Sequence, residues 1–235
     1  MKKIKTGGIL VSLLLLTAAI KPISAFSGTL LETDKRTVTA YLKLELEGSF
    51  EVTLVQGNEE SVIVDAAPDV AALIITKVEG GTLKIYPDNK LKHTGKIALT
   101  VNFKNLKSID CSGAIEITST GALKFDELSF DASGACKANL EITATSLDVD
   151  ISGAGNTTFT GRVPKVDLDI SGAGKFMAAA LTAEDYEIDI SGAGNAEVNA
   201  AKVLDVEVSG TGNVRYSGDP KISKEISGTG QVTKM

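Results

Sequence analysis

From Leu147 to Ile151 the chain alternates between apolar and acidic residues, with Leu147, Val149 and Ile151 separated by Asp148 and Asp150. The pattern returns as Val166, Leu168, Ile170, as Tyr186, Ile188, Ile190, and as Leu204, Val206, Val208. A period of two marks a strand with one buried face. Each run ends in "SGAG" or "SGTG", and alternation then resumes with Thr157 and Phe159, Ala196 and Val198, and Val214 and Tyr216. A second connection follows, such as "TGRVPK" (Thr160–Lys165) or "SGDPK" (Ser217–Lys221). Each unit therefore reads strand, corner, strand, connection. No helical stripe is visible after residue 104.

The corner serines are Ser112, Ser133, Ser152, Ser171, Ser191, Ser209 and Ser227, separated by 21, 19, 19, 20, 18 and 18 residues. A period near twenty held over half the chain predicts an all-β solenoid, a parallel β-helix. Its coils would stack about 4.8 Å apart, piling each inward residue on its counterpart. Each buried side chain would contribute roughly 1.5–3 kcal/mol. The corner glycines are Gly153 and Gly155, Gly172 and Gly174, Gly192 and Gly194, Gly210 and Gly212, and Gly228 and Gly230. Such corners are expected to need φ > 0 or a missing Cβ. A dinucleotide loop is a poor alternative, because its third glycine would fall at Thr158 and a strand follows where a helix should open.

Residues 26–104 lack the serine-glycine corner but keep the strand pattern. "SFEVTLVQGNEESVIVDA" (Ser49–Ala66) reads as two strands about a "QGNEE" turn. "VEGGTLKIYP" and "GKIALTVNFKNLKSIDCSG" continue in the same style, whereas "DVAALIITKV" (Asp69–Val78) suits a short helix or a strand. Residues 105–235 hold the repeats of the same domain.

Residues 1–25 read as a signal peptide: Lys2, Lys3 and Lys5 precede the apolar "ILVSLLLLTAAI", and "ISA" is a cleavage site ending at Ala25. The apolar run is short of the ~20 residues of a spanning helix. No Cys follows it to carry a lipid anchor. Removing the segment takes away four lysines and no acids, so the formal charge moves from −6 to −10. That charge disfavours nucleic acid as a partner. Trp is absent and aromatic residues make up 5%, in keeping with sheet built from small and β-branched residues. The two cysteines, Cys111 and Cys136, sit at different points on adjacent coils. They are expected to be small buried thiols rather than a disulfide, which needs Cα atoms within about 7 Å.

"GSFEVTLVQGNEESVIVDA", "GGTLKIY", "LKSIDCSGA" and the repeated "SGAG" together resemble the head GIN domain family of auto-transporter adhesins, over nearly all of the chain after residue 25. The resemblance implies a right-handed parallel β-helix, like the pectin-lyase-type solenoids without their catalytic residues. It also implies export in Bacteroidetes-type bacteria, to the periplasm, outer-membrane surface or exterior, and a role in cell adhesion. One departure from an autotransporter is that no membrane-barrel run of alternating ~10-residue strands precedes Met235.

Chemistry is sparse. His93 is the single histidine, in the polar stretch "DNKLKHTGK", and reads as a solvated loop side chain. One His and two Cys starve a zinc site, and G-x-S-x-G is absent. Acids are the better lead. Two residues before each serine stand Asp110, Asp131, Asp150, Asp169, Asp189, Glu207 and Glu225, and four before it stand Asp148, Asp167, Glu187 and Asp205. Both columns should face outward. A glycosidase needs one acid pair in a cleft, whereas here the pair recurs on every coil. Like charges ~4.8 Å apart repel by about 0.9 kcal/mol in water and about 3.5 kcal/mol at a dielectric of 20. The eight carboxylates Asp148, Asp150, Asp167, Asp169, Glu187, Asp189, Asp205 and Glu207 form either a solvated face that blocks sheet stacking or a weak Ca²⁺-binding face. Beyond the corner, Asn156, Asn195, Asn213 and Gln231 share a column with Lys175, as a ladder of stacked amides.

Three functions fit. The leading one is an exported non-enzymatic adhesin binding glycan or protein. The second is an envelope structural protein that self-associates, and the third a carbohydrate-active enzyme with one singular acid–base set.

Overall fold

The computed structural model describes residues 32–92 and 95–235. The expected signal peptide (1–25) and His93 lie outside them. The first part supplies β1 (Glu32–Thr37), β2 (Lys43–Gln56), β3 (Ser61–Ala66), α1 (Pro68–Ala71), β4 (Ile74–Glu79), β5 (Thr82–Pro87) and β6 (Ile97–Phe103). "DVAALIITKV" is thus divided: Pro68 opens one helical turn, where a missing N–H costs nothing, and the β-branched run at Ile74 then forms a strand.

The repeats supply β7 (Ser108–Ser119), β8 (Leu123–Lys124), β9 (Glu127–Ala132), β10 (Lys137–Thr143), β11 (Ser146–Ile151) and β12 (Asn156–Arg162). They continue with β13 (Lys165–Ile170), β14 (Lys175–Ile190), β15 (Asn195–Val208), β16 (Asn213–Ser217), β17 (Lys221–Ile226) and β18 (Gln231–Lys234). Strand makes up 67% of the described residues, helix 2%, and the stacked parallel coils form a β-solenoid of about seven turns.

Two ribbons of strands run along the stack. The first carries β5, the first half of β2, the first half of β7, then β9, β11, β13, the second halves of β14 and β15, and β17, all parallel. The second carries β6, the second halves of β2 and β7, then β10, β12, the first halves of β14 and β15, then β16 and β18. At the amino-terminal end the direction reverses: β4 pairs antiparallel with β5, and β3 antiparallel with β6 and β1. This end is held by Arg36, whose guanidinium donates to Asp34, to the Thr76 hydroxyl and to the carbonyls of Ala71 and Ile74.

Between the ribbons lies a dry spine. Ile151, Ile170, Ile190 and Val208 are paired rung to rung and at most 1% exposed. On the other wall Phe159 meets Phe130 edge-on at 5.5 Å and Phe176 at 5.8 Å. Tyr186 enters a column of Leu147, Val166 and Leu204, and its buried hydroxyl donates to the Leu181 carbonyl at 3.2 Å.

The corners decide between the two reasons expected for glycine. Among the described residues, the glycines with φ between +59° and +127° are Gly48, Gly80, Gly81, Gly113, Gly121, Gly161 and Gly218, so none of the ten repeated corner glycines needs that conformation. They are required for closeness. A Cβ on Gly153 would stand 2.3 Å from the Gly134 carbonyl oxygen, and one on Gly172 2.2 Å from that of Gly153. The column also begins earlier than the sequence motif. Gly48, within the uninterrupted strand "ELEGSF", pairs with Gly113, and both adopt positive φ because β2 and β7 bend there without breaking.

Candidate binding faces

Alternation sends every second side chain of each ribbon outward, and stacking lines these up into columns. On the first ribbon one column runs Glu45, Asp110, Asp131, Asp150, Asp169, Asp189, Glu207 and Glu225, rung by rung. Beside it run Asp148, Asp167, Glu187 and Asp205. The eight carboxylates expected from sequence thus share one face. Glu45 adds a first rung that sequence reading missed, because no serine-glycine corner marks its coil.

Only the start of this column is neutralised: Lys84 reaches Glu45 at 2.9 Å, and among the described residues no lysine or arginine pairs with the rungs from Asp110 to Glu225. Partial burial, and secondarily the carboxylates on adjacent rungs, hold Asp110, Asp148 and Asp169 above the usual aspartate range. Among the described residues no three His, Cys, Asp or Glu side chains converge as a metal cage. A cation on this face would bridge neighbouring rungs.

The second ribbon presents a different surface. Its outward column runs Glu116, Lys137, Asn156, Lys175, Asn195, Asn213 and Gln231. Glu116 is clasped at 2.8 Å by both Lys137 and Lys96, which hold its carboxyl down at about 2. Asn213 donates to the Asn195 side-chain oxygen at 3.2 Å, which makes the amide ladder real at that step. Next to it run Thr158, Met177, Glu197 and Arg215, with Arg215 and Glu197 paired at 2.7 Å. Between the two columns lies an open 300 Å³ groove lined by Lys175, Met177, Asn195, Ala196, Glu197, Asn213 and Arg215. Met177, Glu197 and Arg215 were legible only as residues two places beyond the amide column.

The cysteines follow the expectation of small buried thiols. Both are free and buried, and Cys136 is the neighbour that the Cys111 thiol meets. Their different positions along adjacent coils bring them together, because the corner folds one back over the other.

Among the described residues no helix is long and apolar enough to cross a membrane. The family model described as "Putative auto-transporter adhesin, head GIN domain" matches residues 40–220. A crystal structure titled a putative adhesin, from Bacteroides fragilis, superposes with a TM-score of 0.83 at 23% identity, covering 87% of this chain and 96% of that one. A putative adhesin from Parabacteroides distasonis gives 0.70 at 22% identity, and a putative lipid binding protein from the same species 0.68 at 23%, each with 87% and 96% coverage. At these identities the likeness shows the fold. No curated protein matches the sequence.

Proposed function

The chain belongs to the head GIN domain family of auto-transporter adhesins, and from that premise we propose that it is an exported, non-enzymatic adhesion module. Its ligand is a glycan or protein chain lying along the second ribbon. One observation carries this reading: the groove offers amides from successive rungs, Asn195 and Asn213, beside an apolar Met177 and the charged Lys175 and Arg215. Such a mixture hydrogen-bonds hydroxyls or peptide groups while covering apolar C–H surface. The first ribbon, with its two acidic columns, keeps the solenoid from stacking side by side.

The test is an array of glycans and surface proteins probed with the wild-type chain and with an Asn195→Ala/Asn213→Ala/Arg215→Ala variant. Binding lost in the variant supports the groove, and binding unchanged removes it. Protease shaving of intact cells releases a surface adhesin and spares a periplasmic protein. Product appearing in a glycan-degradation screen would overturn the non-enzymatic reading.

Self-association is favoured by a separate observation. In the last coil the spine columns surface, leaving Ile222 and Ile226 38% and 37% exposed, and Lys224 occupies the position that Val206 holds one rung below. A concentration-dependent mass in light scattering, abolished by Ile222→Asp, supports end-to-end assembly.

A further inference from the structure

The position just after each corner recurs from coil to coil as Ile115, Cys136, Gly155, Gly174, Gly194 and Gly212, aligned by the rung pairing of the residues that follow. The position at the end of each preceding strand recurs as Cys111, Ala132, Ile151, Ile170 and Ile190. These two columns face each other with an offset of one coil. A Cβ on Gly155 would stand 3.5 Å from the Cβ of Ala132, one on Gly174 3.3 Å from that of Ile151, and one on Gly194 3.1 Å from that of Ile170. Cys136 stands in the same relation to Cys111. Disulfides join Cβ atoms about 3.5–4.5 Å apart, so the repeat places these two cysteines at bonding distance.

The substitution pattern agrees. In later coils the strand-end isoleucine forces glycine at the position that covers it, with a Cβ clash at 2.5 Å from the isoleucine Cγ2 at Gly174, Gly194 and Gly212. The first two coils replace both partners at once: isoleucine by Cys111, and glycine by Cys136. Both side chains are enclosed, at 0% and 1% exposure.

We propose that Cys111 and Cys136 form an intramolecular disulfide that staples the first serine-glycine coil to the second when the chain folds in an oxidising compartment. Two S–H bonds are lost and one S–S bond forms. The two electrons and two protons pass to a disulfide oxidant, which leaves as two thiols.

The timing follows from burial. The neighbouring Cys136 thiol, and then desolvation, hold the Cys111 thiol well above its ordinary range. Since the thiolate is the nucleophile in exchange, the folded dithiol reacts slowly, and the bond is made while the corner is still open. The closed loop constrains the unfolded chain and slows opening of the stack.

The experiment refolds the purified chain with glutathione disulfide or with excess dithiothreitol, then alkylates it in denaturant and measures intact mass, linked peptides and melting. The oxidised chain is expected to resist alkylation, to yield a Cys111–Cys136 linked peptide and to melt roughly 5–10 °C higher than the reduced one. Cys136→Gly, which restores the repeat's own residue, should fold and show no redox dependence of melting. Cys136→Ser serves as a second variant with the same expectation. Two freely alkylated thiols after oxidative refolding, only mixed or intermolecular disulfides, or equal melting of the two forms would overturn the proposal. None of these readouts depends on adhesion or on where the protein resides.

Discussion

Gly174 covers Ile151 so closely that a β-carbon on it would lie 2.5 Å from the isoleucine Cγ2. This contact couples the corner of one coil to the spine of the coil before it. Gly172→Ala is expected to destabilise the fold by roughly 3 kcal/mol, because its new Cβ meets the Gly153 carbonyl at 2.2 Å and only backbone movement relieves that. Gly174→Ala should cost less, since a side chain is what must yield, and Ile151→Val should leave that cost unchanged because valine keeps the methyl. Gly57→Ala, with nothing within 4 Å of its Cβ and no positive φ, should be neutral or stabilising by about 0.4–1 kcal/mol. Urea unfolding of the four variants checks the order.

The acidic column makes stability depend on pH with an unusual sign. A carboxyl whose folded pKa is raised binds its proton more tightly when folded. Asp110, Asp148 and Asp169 therefore weaken the fold at neutral pH and cease to do so as pH falls through their raised values toward the ordinary 3.8. At low ionic strength the melting temperature should rise as the pH is lowered from neutrality toward the ordinary aspartate range. Added salt should flatten this rise, and Asp150→Asn/Asp169→Asn should remove part of it. CaCl₂ should raise the melting temperature at pH 7 more than NaCl of equal ionic strength, because one divalent ion can bridge two rungs. Calorimetry with no Ca²⁺ heat and no shift beyond that of NaCl would confine the effect to screening.

Glu116 acts in the opposite direction. Its carboxyl, held at about 2 by Lys137 and Lys96, contributes stability above the ordinary 4.5 that is lost as pH falls through the folded value. The melting curve should therefore turn downward below pH 4, and Glu116→Gln should lower stability at pH 7 while flattening that acid limb. The group is exposed, so the change at neutral pH is small and salt-sensitive.

The coil could be read from the sequence wherever its period was intact. Ile151, Ile170, Ile190 and Val208 announce their stacking because alternation and the Ser-Gly corner recur together. Gly48 was hidden for the converse reason: its corner lies inside a continuous strand with no serine before the glycine. Which of the two reasons holds at the corners was not legible, because sequence shows that a Cβ is missing without showing what would meet it. In the structure that is a neighbouring carbonyl, a contact between residues about 19 apart. The cysteine contact was missed for a related reason. Position along a coil is not distance across it, and the one-coil offset of the corner is a three-dimensional property.

Tyr186 tests the spine from within. Burial pushes its phenol well above the ordinary 10.0, so the folded state resists its ionisation and stability falls as pH rises past that value. Tyr186→Phe keeps the ring in its column but strips the Leu181 carbonyl of a donor. The expected cost is about 1–2 kcal/mol at pH 7. Above pH 10 the variant should lose stability less steeply than the wild type. A parallel loss at both pH values would place the effect in packing alone.

Arg36 decides how the amino-terminal end is closed. Solenoid coils contact only their neighbours, so an end coil frays unless something fixes it. Here β1, α1 and β4 converge on one guanidinium: Asp34 accepts from it at 2.7 and 2.9 Å, the Ala71 carbonyl at 2.8 Å and the Thr76 hydroxyl at 2.8 Å. The carbonyls of Ala71 and Ile74 close a helix turn and open a strand, and without the arginine both lose a donor. Lysine cannot replace it, since one ammonium lacks the fork that reaches several acceptors at once. Arg36→Lys and Arg36→Ala should each cost roughly 2–3 kcal/mol. The location of the damage is the sharper test. Hydrogen exchange should accelerate first in β4 and α1, while the amides of Ile170 and Ile190, deep in the stack, keep their protection. Uniform acceleration across both ends would mean that Arg36 stabilises the solenoid as a whole and does not act as its clasp.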